Sequence, residues 1–177
     1  MVQTRNGALP VTDTVADRNV LVVYFSHTNT TEGAANLIHQ QMGGTLFEIY
    51  PAEDYPSSYS ATTQRAQREI SAGTLPAMTG DVENFENYNV VFIGYPIWWG
   101  QAPKIICTFM ETYDFSGKTI IPFCTSGSSG IGSSASNLHA LCSDTAVWLD
   151  GARLEGNTTR EEMAEWINGL GLDITAE

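Results

Sequence analysis

Residues 20–25 read Val-Leu-Val-Val-Tyr-Phe, an apolar run with no polar interruption. A strand with one wet face alternates apolar and polar residues. A strand apolar at every position needs cover on both faces, which a parallel sheet between two helical layers supplies. The run stops at Ser26-His27-Thr28-Asn29-Thr30-Thr31, a hydroxyl-rich loop. A helical pattern follows, with apolar or small residues at Ala34, Ala35, Leu37, Ile38 and Met42, and ends at Gly43-Gly44. Residues 45–50 read as a second strand stopped by Pro51, which completes a β-α-β unit.

The same alternation runs through the rest of the chain. Residues 54–58 are turn-rich, and 59–72 read as a helix carrying Arg65, Arg68 and Glu69 and closed by Gly73. Residues 89–94 form a third strand pattern, leading into Tyr95-Pro96-Ile97-Trp98-Trp99-Gly100-Gln101-Ala102. Pro103 opens a helix to about Tyr113. A fourth strand covers 118–125, and a Gly/Ser loop and a helix to about Cys142 follow. The fifth strand, 145–154, is expected to break at Asp150-Gly151. The last helix, 158–169, opens on Thr158-Thr159-Arg160-Glu161, a capping-box pattern. Strands alternating with helices predict an α/β fold with a parallel sheet covered on both faces. The length of 177 residues suits one domain, residues 19–177. Residues 1–18 read as a flexible polar segment. They lack the apolar core of an intact signal peptide and read as a cleaved remnant or an added stretch.

Twenty acidic residues against 8 basic ones give a net charge of −12. That field repels nucleic acid and anionic membrane surfaces and suits a basic partner; simple solubility is the alternative reading. No stretch approaches the roughly 20 apolar residues that span a bilayer. A cytoplasmic location is expected, with a cleaved exported form as the alternative. Cys107, Cys124 and Cys142 form no CxxC pair, so neither a disulfide framework nor zinc spacing is present. Cys107 and Cys124 sit in apolar runs and read as buried free thiols. His39 and His139 are scattered, and no metal site is expected.

In a doubly wound sheet, ligands bind beyond the carboxyl ends of the strands, where the strand order reverses. The three unusual loops follow the first, third and fourth strands and so share that edge. Ser26, Thr28, Thr30 and Thr31 place four hydroxyls just before a helix start. Hydroxyls and free amides there make an anion site without lysine, although N-capping alone explains one of them. Neither a Walker loop nor a GxGxxG fingerprint is present. His27 reads as an exposed loop histidine, with phosphate contact or titration near neutral pH as the alternative. Trp98 and Trp99 stand between Pro96 and Gly100. Neighbouring residues in extended chain point opposite ways, so both indoles are not expected in one core. A planar ligand is the favoured partner of at least one. The third loop allows close backbone approach to a ligand, or is simply an ordinary surface loop.

Together these loops resemble the flavodoxin family over residues 19–169. The family's first loop, often S-x-T-G-N-T, stands here as Ser26 to Thr31, with Asn29 in place of the glycine and Thr30 in place of the asparagine. Asparagine tolerates the left-handed backbone such a turn uses. Gly94 to Pro103 looks like the ring loop of a branch carrying G-x-P-x-W-W/Y-G, and Phe123 to Gly130 looks like its third loop. The resemblance implies a three-layer sandwich, a five-stranded parallel sheet in the order 2-1-3-4-5, and flavin mononucleotide (FMN) between strands 1 and 3. It implies that Ser26, His27, Thr28, Asn29, Thr30 and Thr31 hold the phosphate. Pro96, Ile97, Trp98, Trp99 and Gly100 would face the ring. Thr125, Ser126, Gly127, Ser128 and Gly130 would close the far side.

The function expected is low-potential electron transfer with a basic redox partner. The alternative is an FMN-dependent NAD(P)H oxidoreductase acting on a quinone or similar small acceptor. No nucleophile–base pair or acid–base dyad is evident. Residues 52–77, with Tyr55, Tyr59, Arg65 and Arg68, either cover a pocket over the ring or form a surface helix. The two arginines read as a solvated face, with an anionic substrate as the alternative.

Overall fold

A computed structural model describes residues 19–126 and 130–172. The stretch 1–18 and the third-loop residues Gly127 and Ser128 lie outside the described residues. Along the chain, β1 (Val20–Tyr24) leads into α1 (Thr30–Met42) and β2 (Thr45–Glu48). An excursion follows: β3 (Tyr50–Pro51), α2 (Tyr59–Ala72) and β4 (Met78–Thr79). Then come β5 (Val90–Pro96), α3 (Lys104–Thr112) and β6 (Thr119–Thr125). The chain continues through α4 (Ser136–His139), β7 (Val147–Trp148), β8 (Ala152–Leu154) and α5 (Arg160–Gly169).

The main sheet runs β2-β1-β5-β6, with β7 and β8 both paired to the outer side of β6, and every pairing is parallel. Counting β7 and β8 as one interrupted edge strand, this is the expected order 2-1-3-4-5. The interruption falls at Asp150-Gly151, as the sequence predicts. A Cβ at Gly151 would lie 2.6 Å from the Pro122 carbonyl oxygen and 2.6 Å from Ile131 Cδ1, so only glycine fits. Pro122 itself has no N–H to give the edge strand.

The apolar runs divide between two faces because side chains alternate along a strand. Leu21, Val23, Val91, Ile93 and Tyr95 join one core with Ile105, Ile106, Phe109 and Met110 of α3. Val20, Val22, Val90 and Phe92 join the other, with Ala34, Ala35 and Ile38 of α1 and Met163 and Ile167 of α5. This is the three-layer sandwich.

Some local expectations shift. The second strand leaves the sheet at Glu48, and Tyr50 and Pro51 pair instead, antiparallel, with Thr79 and Met78. The capping box sits one residue later than its sequence pattern, between Thr159 and Glu162, because the helix starts at Arg160. The helix expected to reach Cys142 is a short turn, Ser136–His139. Ser134 and Ser136 there donate to the carbonyls of Ile131 and Ser133, which competes with helix. Cys107 is half-buried rather than buried, since it stands off the Ile105-Ile106-Phe109-Met110 stripe of α3. All three cysteines are free. No helix among the described residues is long and apolar enough to cross a membrane.

Candidate functional site

The carboxyl ends of β1, β5 and β6 are tied together by backbone bonds. Phe25 N–H donates to Gly94 O at 3.0 Å and Ile97 N–H to Thr125 O at 2.9 Å. Above this edge lies a cavity of about 760 Å³. His27, Thr28 and Thr30 line it from the first loop; Pro96, Ile97, Trp98 and Trp99 from the second; Thr125 and Ser126 from the third. Ser57, Tyr59, Thr62 and Thr63, at and near the start of α2, complete it. Among the expected site residues, Ser26, Asn29, Thr31, Gly100 and Gly130 do not line it.

Those five act from behind or stand apart. Asn29 adopts φ +72°, the left-handed turn that asparagine tolerates, and caps α1 without a side-chain bond to its amides. Ser26 Oγ accepts from Glu32 N–H at 3.2 Å. Thr31 Oγ1 and Thr125 Oγ1 are 2.7 Å apart and buried, bracing the first loop on β6. Two hydroxyls of the first loop thus support it, while Thr28 and Thr30 reach the cavity. Gly130 is exposed.

The second loop is a two-residue turn. Trp98 and Gln101 exchange backbone bonds of 2.9 and 3.1 Å. Its central residues, Trp99 and Gly100, have φ +56° and +75°, as the type I′ turn requires. The chain is therefore not extended at the tryptophan pair, and both indoles border one cavity. Trp98 packs edge-on to Phe25 and Tyr55, with ring centroids 5.6 and 5.0 Å away. Trp99 is 55% exposed, and its Nε1–H donates to Thr63 O at 2.9 Å.

Ser126 is held from below by Arg153. The guanidinium donates from Nε to Ser126 Oγ and from Nη2 to Ser126 O, both at 3.0 Å, and from Nη1 to Glu155 at 2.8 Å. Arg65 is not on a solvated face. Its Nε donates to Glu69 Oε2 at 2.9 Å, and its Nη1 to the carbonyls of Glu53 and Asp54, both at 2.9 Å. Its guanidinium also lies 3.9 Å over the Tyr55 ring. Tyr55 in turn donates its phenol to Glu69 Oε1 at 2.7 Å. Burial, and then the Glu69 carboxylate, push that phenol well above its ordinary range. Arg68 is exposed.

His27 is half-buried, with Nε2 3.3 Å from Thr62 Oγ1 and its ring edge-on to Trp98. The sequence reading missed Ser57, Thr62, Thr63 and Arg153. One signal was available: Thr62, Ala66 and Glu69 share a helical face, and polar residues on a buried stripe imply polar partners.

Fold and cavity together define a doubly wound α/β protein with a cavity at the switch point between β1 and β5, where such sheets bind ligands. The Flavodoxin family model matches residues 19–170, and the chain belongs to the flavodoxin family of FMN-binding flavoproteins. A chain from Bacteroides eggerthii DSM 20697, provisionally described as a flavoprotein, is 38% identical with a TM-score of 0.79, over 88% of this chain and 99% of that one. One from Bacteroides uniformis ATCC 8492, described in the same way, is also 38% identical, with a TM-score of 0.77 over 85% and 97%. A flavoprotein in complex with FMN from Lactobacillus acidophilus NCFM shares the fold at 21% identity, with a TM-score of 0.67 over 85% and 99%. No curated protein matches the chain.

Proposed function

We propose that the chain binds one FMN in this cavity and transfers electrons at low potential to and from a basic partner protein. One observation carries the reading: a single cavity is lined both by hydroxyls at a helix start and by two indoles. The residues present fit the group. Thr28, Thr30 and the opening amides of α1, at the positive end of the helix dipole, suit a phosphate without lysine. Trp98 and Trp99 suit a flat ring, and the backbone of residues 97–100 can bond its edge. Ser126, braced by Arg153, suits the far side.

When bound, flavin supplies one- and two-electron chemistry, and the chain supplies position and electrostatics. The described lining holds no Lys or Arg, and the chain carries −12, so added negative charge in the cavity is opposed. The indoles exclude water, which strengthens that opposition. Both effects lower the potential. The net charge of −12 favours a basic protein partner. The reductase reading has one observation on its side, the wall that α2 raises over the cavity.

The absorption spectrum of the purified protein tests the central claim. Flavin bands should persist through gel filtration, or appear when FMN is added; a colourless protein that takes up no FMN refutes it. Potentiometry should place the bound flavin below free FMN. Rapid NADPH oxidation with a quinone by the isolated protein would replace the carrier with a reductase.

A further inference from the structure

Among the described residues lining the cavity, His27 carries the one side chain, an imidazole, that can take up a proton to become a cation. Tyr59, the other ionisable group there, is a phenol, which can only lose a proton and become negative. The hydrogen bonds around His27 assign its nitrogens. The Thr62 hydroxyl donates to Pro56 O at 2.5 Å, so its oxygen accepts from His27 Nε2–H at 3.3 Å. Nδ1 has no hydrogen-bond partner among the described residues and is left to take a proton.

The charged and titratable groups near this ring are mostly acidic. Glu48 at the end of β2, Tyr50 in β3, and Asp54 and Tyr55 before α2 share an adjoining recess of about 370 Å³ with His27. Glu32 lies in the first turn of α1, where its N–H meets the first loop at Ser26. From α2, Tyr59 faces the cavity, and the Arg65–Glu69 pair lies beyond Tyr55. The second loop and the end of β6 present no charged side chain to the cavity.

We propose that His27 is the redox-linked proton acceptor of this site, an inference that rests on the FMN reading. When a donor adds an electron to the cavity, solvent adds a proton to His27 Nδ1. When an acceptor removes the electron, that proton returns to solvent. The only bond made or broken on the chain is Nδ1–H. A unit negative charge beside the ring raises its proton affinity about tenfold. For a one-electron couple, tenfold corresponds to about 59 mV.

The test compares the midpoint potential of the FMN-loaded wild type with that of His27→Gln across pH. Glutamine keeps an N–H for Thr62 and does not titrate. The wild-type excess over the variant should be about 59 mV larger on the acid side of the His27 titration than on its alkaline side. A second measurement needs no His27 variant. Proton NMR titration of the wild-type imidazoles, oxidised and then reduced by dithionite, should show one of the three histidines gaining proton affinity about tenfold on reduction. His39→Gln and His139→Gln identify it by elimination. A wild-type excess independent of pH, or a His27 titration unchanged by reduction, overturns the role of His27 alone. A wild type that takes up no FMN overturns the proposed function and this assignment with it.

Discussion

The cavity has two walls built in different ways. One is the carboxyl edge of the sheet, where β1, β5 and β6 stop. Residues just below it, such as Val23, Ile93 and Phe123, have no exposed surface and pack against helices on either face. The other wall is the excursion of residues 52–72, whose buried helical face is Thr62, Ala66 and Glu69. The Arg65 clasp and the Tyr55–Glu69 bond tie it together within itself, and it is attached to the rest by two hydrogen bonds, Thr62 to His27 and Trp99 to Thr63, and by the Tyr55 ring against Phe25 and Trp98. Burial of apolar surface is non-directional and cooperative with the whole core. A few hydrogen bonds are directional and local. The sheet wall should therefore yield only with global unfolding, while the excursion wall can open by itself.

Truncation separates the two most sharply. Ile93→Ala removes a fully buried side chain from the sheet wall and should cost about 2–5 kcal/mol of global stability, read by urea denaturation. Arg65→Ala should cost less, about 1–3 kcal/mol, mostly because Glu69 is left buried without its cation. Its signature is local. Hydrogen exchange should quicken over residues 52–72 while the amides of β1 and β5 keep their protection. Quickening throughout the sheet would erase the distinction between the walls.

The sheet wall was legible in the sequence because its physics is periodic. An apolar run implies two covered faces, and Asp150-Gly151 marks a break that the Pro122 contact explains. Asn29 signals a left-handed turn by its residue type. The excursion wall was legible only as a helix. Nothing in residues 53–69 says that Arg65 turns inward, since its acceptors are the carbonyls of Glu53 and Asp54 and a carboxylate one turn along. Composition equally fails to say which hydroxyls of the first loop brace it and which face the cavity. That division depends on Thr31 meeting Thr125, 94 residues away.

Smaller again is the response of the sheet wall to alkali. Burial pushes the Cys124 thiol from 9.0 up to about 11. The folded chain therefore holds this proton more tightly than the unfolded one. The stability it contributes is fully present below about pH 9 and is lost as pH rises through about 11. Tyr95 in the sheet wall and Tyr55 in the excursion wall are also raised, with burial the largest cause, and follow at higher pH. Urea midpoints of wild type and Cys124→Ala should fall in parallel below about pH 9 and diverge above it, the wild type losing more. Parallel curves throughout would remove Cys124 from the alkaline response.

The smallest effect tests the seam between the walls. Trp99→Phe keeps an aromatic ring at the lip and removes the Nε1–H that reaches Thr63 O. One exposed hydrogen bond contributes about 0.5–1.5 kcal/mol, and at 55% exposure the low end applies. The turn itself is kept, because the substitution leaves Gly100 and the Trp98–Gln101 pairing in place. Hydrogen exchange should quicken only around Thr63 and residues 98–101. If the whole of α2 loosens as it does in Arg65→Ala, the Trp99 contact, not the arginine clasp, is what seats the excursion on the site.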